Sequence, residues 1–105
     1  MIYQITMMDN CEDNLQLLYN RNSDIYINTK NITNINGFSM TNKTDYQSDV
    51  QILGIEINGI KYPITYINRN HYDNEEQYVK DMDKNGRYIE NIIKDITEAM
   101  QLENL

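Results

Sequence analysis

The chain has 105 residues, with nine basic and sixteen acidic residues for a formal charge of −7. That length suits a single domain over 1–105 with one modest core. Nine scattered cations cannot neutralise a run of phosphates, so direct nucleic-acid binding and anionic membranes are disfavoured and basic partners favoured.

Residues 2–8 are predicted as a strand, with Ile2, Tyr3, Ile5 and Met7 as its apolar members. Asp9 followed by Glu12 has the form of a helix start, because such a pair can satisfy two orphan amides at a helix N-terminus. Cys11, Leu15, Leu18 and Tyr19 then share one helical face, which predicts a short helix over 10–19. Residues 24–30 alternate, Ile25, Ile27 and Thr29 against Asp24, Tyr26, Asn28 and Lys30, as a half-buried strand does. Asn36-Gly37 is a preferred pair for a two-residue turn. It predicts a hairpin of 31–35 with 38–42, and the polar tract 41–49 is expected to be a loop.

The segment 50–67 is expected to form a second hairpin about Asn58-Gly59. One register pairs Ile57 with Ile60, Ile55 with Tyr62 and Leu53 with Ile64. It also pairs Glu56 with Lys61, Gly54 with Pro63 and Ile52 with Thr65. Pro63 has no amide hydrogen, so strand 60–67 is expected at a sheet edge or bulged near Pro63. Asp73-Asn74-Glu75-Glu76 repeats the cap signature, and Tyr78, Val79 and Met82 begin a helical stripe. Asn85-Gly86 is expected to stop that helix. A second helix over 88–103 follows, with Ile89, Ile92, Ile93, Ile96, Ala99 and Met100 on its apolar side. The fold class is therefore α+β: a small antiparallel sheet of about four or five strands, covered on one face by helices, two of them C-terminal. No linker or internal repeat divides the chain.

Cys11 is the only cysteine, which excludes an intrachain disulfide and a multi-thiolate zinc site. No basic-then-apolar leader and no apolar stretch near the ~20 residues of a membrane helix occur, so a cytoplasmic protein is expected. Asn31-Ile32-Thr33 and Asn42-Lys43-Thr44 match glycosylation sequons, and sixteen Asn in the chain make such matches by chance. The sixteen Ile beside a single Ala point to A/T-rich coding rather than to physical selection.

Catalytic constellations are missing. His71 stands near Asp73, Glu75 and Glu76, but a second His is lacking, and an exposed loop His is the expectation. Cys11 lies at a helix start among Asp9, Glu12 and Asp13, which oppose a thiolate. Glycines 37, 54, 59 and 86 are too dispersed for a phosphate loop. The chain is expected not to be an enzyme and to hold no cofactor.

Asp81-Met82-Asp83-Lys84-Asn85-Gly86 resembles the first half of an EF-hand calcium loop, whose oxygen ligands stand at positions 1, 3 and 5 before a Gly. The resemblance implies Asp81, Asp83 and Asn85 as ligands. It covers half of one loop only, since position 12 is Ile92 rather than a bidentate Glu. A cap and turn between two helices is the expectation, with a calcium module as an alternative.

Five acids, Asp73, Glu75, Glu76, Asp81 and Asp83, stand beside Tyr72 and Tyr78, and Lys80 is the only base among them. Carboxylates with aromatic rings suit a basic groove on another protein. The expected function is that of a small interaction protein, of the kind phages and mobile elements use as inhibitors. It would occlude the nucleic-acid groove of a host effector, as anti-CRISPR proteins do to CRISPR effectors, without touching nucleic acid or membrane itself. The expected contact is Tyr72, Asp73, Glu75, Glu76, Tyr78, Asp81 and Asp83, with Glu56 and the edge 60–67 as second choice. Assembly through a sheet edge is the remaining alternative.

Overall fold

The computed structural model describes residues 1–8, 11, 14–16, 24–44 and 48–104. β1 (Ile2–Ile5) pairs antiparallel with β2 (Ile25–Asn28). β3 (Ile35–Thr44), β4 (Ser48–Ile57) and β5 (Ile60–Asn68) form an antiparallel meander in that order. One helix, α1 (Glu75–Glu103), follows. The α+β class holds, with two sheets of two and three strands and a single C-terminal helix.

β1 and β2 are shorter than the predicted 2–8 and 24–30. Of the predicted helix 10–19, residues 14–16 are helical, while its cap and the positions of Leu18 and Tyr19 lie outside the described residues.

Alternation along β4 builds the core on both sides of the meander. Ile55 and Ile57 point to the side where Ile89, Ile92 and Ile96 of α1 arrive, and Ile5, Ile32 and Ile64 complete that cluster. Val50 and Ile52 point the other way, onto Met7, Cys11 and Leu15. Each fully buried isoleucine contributes about 1.5–3 kcal/mol.

Two predicted breaks are absent. Asn36-Gly37 does not turn: Asn36 pairs with Glu56 and Gly37 with Ile55 inside a ten-residue strand. β3 also takes in 41–44 and β4 takes in 48–49, all within the tract expected to be a loop; residues 45–47 lie outside the described part. A Cβ built on Gly37 would stand 3.4 Å from Ile93 Cδ1, so the position faces the helix and stays extended. Asn85-Gly86 does not stop the helix either. Tyr78, Met82, Asn85, Ile89, Ile92, Ile96 and Ala99 recur every three or four residues without a phase slip, and one continuous helix lays that whole stripe inward. A helical Gly costs only about 1 kcal/mol against Ala, too little to break it. The helix cap is Asn74, one residue later than the predicted Asp73. Its Oδ1 accepts from the amides of Glu76 (2.7 Å) and Gln77 (3.3 Å).

The second hairpin forms as predicted from Ile57↔Ile60 to Gly54↔Pro63, and then shifts by one residue. Leu53 faces Thr65 and Ile52 faces Tyr66, rather than Ile64 and Thr65. Pro63 marks the irregularity, and Gly54 makes room for it: a Cβ there would fall 2.2 Å from the carbonyl oxygen of Tyr62. The shift turns the backbone of Tyr66 outward. The segment after β1 occupies that side: Met8 N donates to Ile64 O (3.1 Å) and Tyr66 N donates to Cys11 Sγ (3.3 Å). β5 is thus a sheet edge and bulged, and that edge is partly covered.

Asn58 fixes the turn. Its backbone is left-handed (φ 52°), a conformation Asn tolerates better than most residues. Its Oδ1 accepts from Thr33 N (2.8 Å), Thr33 Oγ1 (2.9 Å) and Asn34 N (3.1 Å), and its Nδ2 donates to Asn31 O (2.8 Å).

Two further asparagines do matching work. Asn28 and Asn68 each end a strand with Tyr-Ile-Asn and open a single 3-10 turn, Thr29–Asn31 and Arg69–His71. Each accepts from the amide two residues on. The same device thus recurs within a chain whose sequence showed no repeat.

Candidate functional site

The 3-10 turn at Arg69–His71 swings the chain back over the first turns of α1, and this builds a corner. Tyr72 Oη donates to Asp81 Oδ2 (2.6 Å) and Gln77 Nε2 donates to Asp81 Oδ1 (3.0 Å). The rings of Tyr72 and Tyr78 meet edge to face with centroids 5.6 Å apart. The guanidinium of Arg69 lies 5.1 Å from the Tyr78 centroid and pairs with Glu75. Burial, followed by the hydrogen bond to Asp81 and its charge, pushes Tyr72 up to about 12. The phenol therefore keeps its proton, and its donor role, across the ordinary pH range.

The predicted residues separate into two groups. Tyr72, Glu75, Tyr78 and Asp81 come together around Arg69 and Gln77. Glu76 and Asp83 stand apart on exposed helix positions, each with a cation one turn on: Lys80 at 3.7 Å and Arg87 at 3.3 Å. Such exposed pairs contribute at most about 1 kcal/mol and yield readily to a competing partner. Asp73 is exposed just before the cap, and His71 is exposed in the 3-10 turn. Glu56 pairs with Lys61 across the hairpin, and the Lys61 ammonium stands 5.8 Å from the Phe38 centroid.

The calcium alternative loses its geometry. Residues 81–86 are helical, so Asp81 and Asp83 project from different sides of α1 and cannot share an ion with Asn85. Asn85 is instead buried in the inward stripe. No group of three or more metal-ligating side chains converges among the described residues.

Sequence reasoning missed Arg69 and Gln77, and it read Asn85 as a helix stop or calcium ligand rather than as a buried member of the inward stripe. Asn85 had a signal, since it falls in phase between Met82 and Ile89. Arg69 had none, because its reach depends on the 3-10 turn. A cleft of about 230 Å³ opens beside the corner, between Met8, Cys11 and Tyr66 on one side and Tyr72, Asp81 and Asn85 on the other. Cys11 itself is buried.

Comparison with protein-family models, curated proteins and solved structures finds no match, so the surface is read from its own chemistry.

Proposed function

We propose that this chain is an interaction protein that acts by docking the Tyr72–Asp83 surface onto a basic partner. The observation that carries the reading is the corner itself: two tyrosine rings held edge to face, one locked to Asp81, beside the exposed carboxylate of Asp73, with the exposed carboxylates of Glu76 and Asp83 on another side of the same helix. Preordered aromatic rings supply contact area at little entropic cost, and a charge of −7 steers encounter with cations. A Lys/Arg-lined nucleic-acid groove is the partner this chemistry suits. An inhibitor of a host nucleic-acid-binding effector, on the anti-CRISPR pattern, is the role we propose for it.

The test is retention of nucleic-acid-binding effectors from host extract by the immobilised chain, followed by displacement of labelled nucleic acid from the retained protein. Reversal of Glu76 and Asp83 to Lys should slow association about tenfold at low salt and leave the fold intact. Association unchanged by those reversals and by salt would sink the proposal.

A further inference from the structure

The outer edge of β3 carries a second inference, which shares only Asp83 with the surface proposed above. Asn58 N donates to Asn34 O (2.9 Å), so residues 34 and 58 form a hydrogen-bonded pair. Bonded and non-bonded pairs alternate along an antiparallel ladder, so Asn36 and Phe38 bond β4, while the backbones of Ile35, Gly37, Ser39 and Thr41 face outward. No described group pairs with those outward N–H and C=O groups. Natural edge strands are usually guarded by charges, prolines or bulges. From Ile35 to Asn42 this one has neither a charge nor a proline, and its pairing with β4 runs without a register shift.

Beside that edge lies an apolar slot of about 250 Å³, walled by Gly37, Ser39, Leu53, Gly86 and Ile89. Gly37 on the strand and Gly86 on α1 both line it, and a Cβ on Gly86 would meet nothing within 4 Å. Asp83 and Glu90, one turn before and after Gly86, are exposed on the same stripe of α1 and place two carboxylates near it, with exposed Lys94 one turn beyond Glu90. Arg87 offsets Asp83 in part.

We propose that β3 receives an extended strand from a basic partner protein. The added strand would take up the outward hydrogen bonds, seat one apolar side chain in the slot and turn lysine or arginine toward Asp83 and Glu90. Main-chain bonds give such strand addition its affinity and a side-chain pocket its selectivity. The charge of −7 argues against a second copy as occupant, since two acidic edges repel.

The test uses the short acetylated peptide lysine-threonine-valine-threonine-lysine, whose valine and lysines share one face of an extended strand, followed by amide NMR and hydrogen exchange on the full chain. The amides of Gly37, Ser39 and Thr41 should shift and gain protection, and the same peptide with glutamate in place of both lysines should leave them unmoved. Ser39→Pro removes one outward N–H without touching a ladder bond and should weaken binding about fivefold. Glu90→Lys, on an exposed helix position, should weaken it about threefold and flatten its salt dependence. Shifts confined to the Tyr72 corner, or equal binding to the Ser39→Pro and Glu90→Lys variants, would overturn the proposal. Protection of the same amides by raising the protein concentration alone would also overturn it, because the occupant would then be another copy of this chain.

Discussion

Asn58-Gly59 and Asn36-Gly37 are the same dipeptide in opposite conformations. At Asn58 the backbone is left-handed and Gly59 follows at φ 85°, and the chain reverses. At Asn36 the chain runs straight on, with Gly37 under Ile89 and Ile93 of the helix. A third copy, Asn85-Gly86, lies in the middle of a 29-residue helix. The difference teaches that the turn preference of Asn-Gly is weak, about as large as one or two hydrogen bonds. It prevails where flanking residues agree on a register and a side-chain anchor is present. It yields where a strand partner or a continuous apolar stripe offers more.

Substitutions can break that comparison. Asn58→Ala has the largest expected effect: it removes four side-chain hydrogen bonds and the tolerance for positive φ, and should cost about 2–3 kcal/mol by urea unfolding. Asn58→Gly keeps the backbone free and isolates the hydrogen bonds, so its cost should be smaller. A cost below about 0.5 kcal/mol for Asn58→Ala would show that the turn is not anchored there. Gly59→Ala should destabilise by about 1 kcal/mol through its positive φ alone. Gly86→Ala should change sign, stabilising the fold by up to about 1 kcal/mol and so raising the melting temperature, because the new Cβ meets nothing within 4 Å. Gly37→Ala should be nearly silent, within about 0.5 kcal/mol, since its Cβ would make an ordinary contact with Ile93. If Gly37→Ala instead costs as much as Gly59→Ala, the two sites are not different in kind.

The same contrast explains what could be read in the sequence. The turn at 58–59 was legible because turn chemistry and face alternation selected one register. That register failed beyond Pro63, because the shift depends on Tyr62 folding its carbonyl over Gly54, a tertiary fit. The single helix was legible in principle: the apolar stripe keeps phase from Tyr78 to Ala99, which two separate helices would have no need to do. Local rules outweighed that longer pattern. In the corner, Tyr72, Tyr78 and Asp81 could be grouped by nearness along the chain. The pairing of Glu75 with Arg69 could not, because it requires the 3-10 turn that brings the guanidinium back. β5 is an edge and bulged, as predicted, but the segment after β1 covers part of it, whereas no described group covers the other edge, β3.

β1 and its continuation lie antiparallel along the long helix, in contact at Met1 with Glu103, at Tyr3 with Asp95 (3.2 Å) and at Thr6 with Tyr88 (2.9 Å). Under tension applied between Met1 and Glu103, these contacts would be loaded one after another, as in a zipper, rather than together. The molecule should therefore peel apart at low force from that pole. The meander packs on Ile89, Ile92 and Ile96, about 10–20 Å of helix back from Glu103, and would be loaded only after the contacts at Met1, Tyr3 and Thr6 part.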